Sequence, residues 1–334
     1  PSDIPAPSES DELPGYKLSS YVDRFIETGA GKVPIIKSKL GRDDLFSTFY
    51  VRCGINRYAY TVAPGLYGIG SPDENSEVLV TANFKLTFDH LRKKLDGIDA
   101  WILVLDTKGI NVWCAAGKGT FATAELNFRI KKSLLEKVVS HKRIIVPQLG
   151  AVGVSARKVK EGSGFRVVYG PIRASDIPEF LKNSRKCSNE MRMVTFSLYE
   201  RFILTPVEIQ ITLKPALLIA LVLLIISGIG PGVFSFSAAI ERGGLGILAM
   251  LTGLLSGALV TPVLLPWIPS KQFAAKGIIS GSIFAAVFLV LASGSLSGFS
   301  GFAALSLFSV VISSYLAMNF TGTTPFTSPS GVEK

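Results

Sequence analysis

The stretch Asn111–Gly119 reads NVWCAAGKG and holds Cys114, one of three cysteines in a chain of 334 residues. It follows the apolar run WILVLD (101–106), at a point where a short helix can begin. A helix start, with Lys108 and Lys118 close by in sequence, stabilises an anion, so thiolate chemistry is open to Cys114. The small residues beside it, Ala115, Ala116 and Gly117, would let a flat, bulky ligand approach the backbone. The competing reading is a structural cysteine packed as a small hydrophobe, and on residue types alone that reading is the stronger.

Several other chemistries are excluded. A Walker A loop would need glycine where Val112 stands and Ser or Thr where Gly119 stands. There is no G-x-G-x-x-G dinucleotide fingerprint. The Asp-x-His-x-x-Gly pattern of histidine-ligated cobalamin modules is missing, since Lys93 lies three residues after His90 and Ile144 three after His141. With only those two histidines, a multi-histidine metal site is ruled out. Cys53, Cys114 and Cys187 are 61 and 73 residues apart and form no CxxC, which argues against a zinc ribbon or an internal Fe–S cluster. An odd, sparse count fits a reducing compartment without a disulfide framework.

The elements that must position Cys114 read as follows. Glu77–Thr81, Trp101–Asp106, Arg143–Pro147 and Phe165–Tyr169 are short apolar runs suited to strands buried on both faces. Thr87–Leu95 and Ala122–Ser140 read as helices between them. The alternation predicts an α/β Rossmann-like domain with a parallel sheet, in which ligands sit at the carboxyl ends of the strands. Three loops converge on that edge: Ala82–Lys85, Thr107–Gly119 and Gln148–Gly153. Turn chemistry alone explains such loops equally well.

Charge divides the chain. Residues 215–334 carry six charged residues, Glu241, Arg242, Lys271, Lys276, Glu333 and Lys334, for a net +2, whereas residues 1–214 carry the remaining +8. Four apolar stretches, at about 216–234, 244–266, 277–296 and 300–319, each approach the roughly 20 residues that cross a bilayer. An all-α transmembrane domain over 215–334 follows, with no ionisable residue inside a span to suggest a pump. The expected organisation is a disordered leader at 1–29, the α/β domain at 30–190, an amphipathic juxtamembrane connector at 191–214, and the membrane domain. The first 30 residues are polar and read as no signal peptide. With the basic residues Lys271 and Lys276 in an inner loop, the chain is expected to be multi-pass in the cytoplasmic membrane, its N-terminal domain in the cytoplasm.

DTKGINVWCAAGKG (106–119) resembles the cap-helix signature of the membrane-bound corrinoid proteins that methylate mercury in anaerobic bacteria and archaea. TPVE (205–208) and NFTGTTPFTSPSGVEK (319–334) resemble the same family, and the related corrinoid iron–sulfur protein large subunit has a similar domain with an Fe–S module of its own. The resemblance implies a corrinoid (cobalamin-type) cofactor with Cys114 as lower axial ligand of cobalt. It implies that Asn111, Val112, Trp113, Ala115, Ala116, Gly117 and Lys118 form the cap helix under the corrin and that Thr81 and Asn83 touch the corrinoid. Gln148, Leu149, Gly150, Ala151 and Val152 would lie near its nucleotide tail. The implied reaction is methyl transfer through methyl-Co(III) to inorganic Hg(II), forming methylmercury. A thiolate is a soft, strongly donating ligand, which should favour departure of the methyl with negative character toward an electrophile. A ferredoxin-like protein with two [4Fe–4S] clusters would supply electrons, and a separate methyltransferase the methyl group from a methyl-folate-type donor.

The chain departs from the family in one respect: four spans are counted where the family typically has five. The alternatives are a membrane-tethered corrinoid methyl carrier of one-carbon metabolism, and a non-catalytic membrane sensor with a Rossmann-like ligand domain. The positive charge of residues 1–214 fits anionic lipid or an acidic ferredoxin, and no nucleic acid is expected as a partner.

Overall fold

The computed structural model describes residues 21–295 and 298–323. The 1–20 part of the leader and the 324–334 part of the C-terminal motif lie outside the described residues. The chain forms two compact units, one of Pro1–Val51 and Ile55–Val194, the other of Arg52–Gly54 and Thr195–Lys334.

The first unit is a seven-stranded sheet with helices on its faces. Its strands are β1 (Val22–Thr28), β2 (Gly31–Ile36), β3 (Gly65–Ile69), β4 (Glu77–Ala82), β5 (Ala100–Leu105), β6 (Arg143–Pro147) and β7 (Arg166–Gly170). They lie in the order β1-β2-β3-β5-β4-β6-β7. Four strands, β5-β4-β6-β7, run parallel. β3 pairs antiparallel to β5, and β1 antiparallel to β2. The sheet is therefore mixed, not parallel throughout as expected; the parallel run β5-β4-β6-β7 occupies one side of it and ends at the β7 edge. β1 also falls inside the segment read as a leader: Tyr21 and Val22 are buried, so that end of the segment is tied into the core.

The helices are α1 (Arg42–Arg52), α2 (Lys85–Lys94), α3 (Val112–Gly117), α4 (Thr123–Lys132), α5 (Ala156–Ser163) and α6 (Ile177–Lys182). The long helix expected at 122–140 stops at Lys132. Leu134 takes a left-handed φ of 47°, and a separate turn follows at Leu135–Lys137. Two apolar cores sandwich the sheet. One gathers Val80, Leu103, Leu105, Ala115, Ala116, Phe121 and Val146; the other gathers Leu79, Phe88, Ile102, Val104 and Phe180. Strand residues alternate between the two cores, as the pleat requires.

The second unit is helical: α7 (Leu198–Phe202), α8 (Thr205–Gly228), α9 (Phe236–Leu254), a π-helical turn at Leu255–Val260, α10 (Thr261–Val263), α11 (Phe273–Ala292) and α12 (Phe299–Asn319). A two-strand ribbon, β8 (Ile229–Gly230) and β9 (Val233–Phe234), links α8 to α9. Among the described residues, four helical stretches are long and apolar enough to cross a membrane: Leu198–Gly228, Phe236–Val263, Phe273–Ala292 and Phe299–Asn319. The stretch Phe236–Val263 runs as one continuous helical stretch through the π-helical turn. Pro215, read as the end of a connector, lies inside α8, so the helix takes in residues 205–214 as well. Glu241 and Arg242, expected in a loop, lie on α9. Lys276, expected in an inner loop, lies on α11. It is buried, donating to the carbonyls of Leu265 at 2.5 Å and Ile268 at 2.7 Å, which closes the turn before the helix.

Small residues let α9, α11 and α12 approach closely. A Cβ on Gly277 would stand 2.7 Å from Ala317 Cβ and from Ser313 O, and one on Gly257 2.6 Å from Ser313 O. At the crossing, the Ser256 hydroxyl donates to Ser280 (3.1 Å) and accepts from Ser313 (3.0 Å), and Thr261 bonds Ser280. All four hydroxyls are buried and partnered.

Candidate functional site

Strand register builds the site. β4 and β5 are aligned residue for residue from Glu77 with Ala100 to Ala82 with Leu105, so both end at the same level. β6 is in step with β4 through Leu79 and Ile145. The loops that follow, at 83–84, 106–111 and 148–153, therefore leave the sheet on one edge.

Asn83 fastens two of them together. It is 1% exposed, and its Oδ1 accepts from Thr107 N (3.0 Å), Thr107 Oγ1 (2.9 Å) and Gly109 N (3.0 Å). The Thr107 hydroxyl also donates to Ile110 O at 2.6 Å. Lys108 and Gly109 take left-handed φ values of 57° and 70°, so the loop makes a tight reversal that this acceptor stabilises. The backbone N–H of Asp106 is held by Glu125 Oε1 at 2.9 Å, reaching back from the first turn of α4. Burial works to raise the Asp106 carboxyl, but hydrogen bonds from the side chain and backbone of Lys108 outweigh it and hold the group below its usual range. Lys108 Nζ sits 2.6 Å from Asp106, so it neutralises that carboxylate and is not free to attend Cys114.

The loop delivers the chain to α3. Asn111 caps it, its side chain accepting from Cys114 N at 2.9 Å. Six residues divide by face. Val112, Ala115 and Ala116 are buried in the core under the helix; Trp113, Cys114 and Gly117 are exposed, Trp113 to 41%. The thiol of Cys114 is thus a surface group, which overturns the buried structural reading of that cysteine. Nothing lies within 4 Å of where a Cβ on Gly117 or Gly119 would stand, leaving open space beside the backbone.

The third loop packs against α3. A Cβ on Gly150 would strike the Phe121 ring, and one on Gly153 would strike Phe121 O and come within 3.3 Å of Ala116 Cα. Gly150 is buried and Leu149 half-buried, so they form the seat of the turn. Gln148 Oε1 accepts from Arg192 Nη1 at 2.9 Å. Val152 projects outward, 83% exposed.

The sequence-predicted residues divide at one sheet edge into an exposed and a buried group, with Asn111, Gln148, Leu149 and Ala151 half-buried between them. Trp113, Cys114, Gly117, Lys118 and Val152 are exposed and available to a ligand. Thr81, Asn83, Val112, Ala115, Ala116 and Gly150 are buried and position the others. Direct contact of Thr81 and Asn83 with a ligand finds no exposed surface in this conformation. Sequence reasoning missed Thr107, Phe121, Gly153 and Glu125. A glutamate in the first turn of a helix was the one available signal, since the orphan N–H groups there favour an acid. An open depression of about 400 Å³ borders the loop, lined among others by Asp106, Lys108, Thr120, Glu125 and Phe128. Among the described residues, no group of three His, Cys, Asp or Glu could hold a metal ion.

Comparison with known proteins bears on this edge. Residues 51–181 match the family model described as CO dehydrogenase/acetyl-CoA synthase delta subunit. The acetyl-CoA decarbonylase/synthase complex subunit gamma of Methanopyrus kandleri is 38% identical over 123 residues, covering 36% of this chain and 26% of that protein. Its counterpart in Methanocaldococcus jannaschii is 36% identical over 131 residues, 38% of this chain and 26% of that protein. The corrinoid/iron-sulfur protein large subunit of Moorella thermoacetica is 36% identical over 116 residues, 34% of this chain and 26% of that protein. The chain thus spans about a quarter of the length of these relatives. The family match runs from the end of α1 into α6 and takes in every candidate contact from Thr81 to Val152.

Proposed function

We propose that the α/β domain binds a corrinoid at this edge and that the chain is a membrane-tethered corrinoid protein of methyl transfer. Three observations support the cofactor: the family match over 51–181, the corrinoid named in the Moorella relative, and an exposed edge with a soft donor on it. The residues fit the group. Open space beside Gly117 and Gly119 admits a flat ring, and a thiol is a donor suited to a soft metal. The corrinoid, when bound, supplies a cobalt centre that carries the methyl group. The chain does the rest. Cys114 would hold the cobalt through its thiol, Asn111 fixes the start of the helix that bears it, and Ala115 and Ala116 anchor that helix in the core. The exposed Trp113, Lys118 and Val152 would contact the ligand, and Gln148 and Ala151 would hold its nucleotide tail.

The finer reading concerns the acceptor. The relatives belong by name to acetyl-CoA decarbonylase/synthase complexes, which supports a carrier of one-carbon units. The single observation that favours Hg(II) as substrate is the exposed Cys114 on a capped helix: a sulfur donor to cobalt would favour methyl release to an electrophile more than a histidine donor would. The electrons come from a ferredoxin-like partner and the methyl group from a separate methyltransferase, because the three cysteines of this chain cannot ligate a cluster. The four apolar helices hold the domain at the cytoplasmic membrane.

The test has two parts. Full-length protein reconstituted anaerobically with cobalamin should take up colour, and Cys114→His should change its visible spectrum; loss of uptake in neither wild type nor variant, with identical spectra, removes Cys114 from the cobalt. With reduced ferredoxin, methyl donor and Hg(II), wild type should form methylmercury and Cys114→Ala should not. A colour change on Cys114→His without methylmercury from wild type leaves the one-carbon carrier as the function.

A further inference from the structure

α1 is built inside out. Apart from the terminal Arg52, its buried or half-buried positions are Asp44, Ser47, Thr48 and Val51, at the i, i+3, i+4, i+7 spacing of one helix face, and three of these four are polar. Its outward positions are Leu45, Phe46, Phe49 and Tyr50, which are 56%, 64%, 64% and 52% exposed. Ile55 extends the patch just beyond the helix. Rotation about the helix axis cannot relieve the inversion, because Asp44 is held on both oxygens. Lys85 Nζ lies 2.6 Å from one and Arg92 Nη2 2.7 Å from the other. Both cations also bind Asp89, at 2.6 and 2.8 Å, so the four charges form a closed buried quartet. A helix locked in this orientation presents to its surroundings the side that water disfavours.

We propose that this stripe is a membrane-interface anchor, in which Leu45, Phe46, Phe49 and Tyr50 enter the boundary between lipid headgroups and acyl chains. The side chains suit that layer, where aromatic residues concentrate. The charges around them suit an anionic surface: Lys39 and Arg42 precede the stripe and Arg57 follows it, against Asp43 and the internally paired Asp44. The other compact unit of the chain contains four helices long and apolar enough to cross a membrane. The anchor rests on the reading of those helices as membrane spans and is independent of the corrinoid.

Tryptophan scanning of the full chain in phosphatidylcholine–phosphatidylglycerol vesicles tests it. Three variants are compared with wild type: Phe49→Trp on the stripe, Leu221→Trp in the middle of α8, and Arg157→Trp on the exposed face of α5. The added emission of Phe49→Trp should be quenched most by lipids brominated near the glycerol, at a depth of about 5–10 Å into the headgroup–acyl boundary. Leu221→Trp should respond to deeper bromines and Arg157→Trp to none. If Leu221→Trp is quenched and Phe49→Trp behaves like Arg157→Trp, the anchor is wrong and the membrane reading stands. If Phe49→Trp is blue-shifted but unquenched, protein covers the stripe and the proposal also fails. If Leu221→Trp is not quenched, the membrane reading falls and the anchor with it.

Discussion

Replacing Asn83 by alanine separates a positioning role from a ligand contact. The substitution removes one oxygen that serves three donors. The Thr107 hydroxyl retains Ile110 O as a partner, so two backbone N–H groups, those of Thr107 and Gly109, are left stranded in a buried place. At about 1–3 kcal/mol for each stranded donor, the loop loses roughly 2–6 kcal/mol. The loss falls on the reversal at Lys108–Gly109 that leads into α3, not on the sheet, which keeps its core. Amide hydrogen exchange on the cofactor-free full chain reads it directly. A tenfold change in opening corresponds to about 1.4 kcal/mol, so exchange across 106–112 should quicken by well over tenfold while β4 and β5 keep their protection. Cobalamin affinity should fall as a consequence of the loosened loop. Unchanged exchange together with a large loss of cobalamin affinity would refute the argument, because it would make Asn83 a direct contact, as the family resemblance implies.

Other expectations follow from packing and charge. Gly153→Ala drives a methyl into Phe121 O and toward Ala116, and should cost about 1–3 kcal/mol in urea unfolding of the α/β domain while also weakening cobalamin binding; equal stability would mean that the turn moves freely. Arg92→Leu leaves Asp44 and Asp89 with Lys85 alone and should destabilise by about 3–5 kcal/mol, measured the same way. For Asp44, burial opposes ionisation, but Lys85, Gly41 N and Arg92 prevail and lower its pKa. A lowered folded pKa means that the unfolded chain binds protons first. The contribution of Asp44 is therefore fully present above the ordinary carboxylate value of about 3.9 and is lost as pH falls below it toward the folded value. Acid titration of wild type should show this loss and Asp44→Asn should blunt it; a parallel pair of curves would count against it. In the bundle, Gly277→Leu should lower the melting temperature in detergent, with Gly244→Leu, which faces open space, as the unaffected control.

Much of the site was legible because its elements are strongly patterned. The parallel strands β4, β5, β6 and β7 are continuous apolar runs, and their expected bounds lie within a residue of those observed. The short helix at Cys114 follows from an Asn cap and small residues. The other half of the sheet carries weaker signals. β2 contains Pro34, β3 is GLYGI, and β1 interleaves Asp23, Arg24 and Glu27 with its apolar residues, all features that demote a strand in sequence. Their pairing is decided by neighbours distant in the chain. The burial of Asn83 could not be seen either: an asparagine after a strand reads as turn chemistry, and only the level ends of β4 and β5 bring it to Thr107. Pro215 misled in the opposite sense, since a helix of 24 residues continues through a residue that ends many shorter ones.

The hydroxyl knot of the helical unit has a consequence for how the protein is made. Ser256 on the π-helical turn finds Ser280 only after 24 further residues and Ser313 only after 57. Ser256, Thr261 and Ser280 bond one another without α12, and Ser313 adds bonds to Ser256 and to the Gly277 carbonyl. Among the described helices, α12 is made after the two it joins, so the pairing of α9 and α11 gains its Ser313 contacts only once α12 is present.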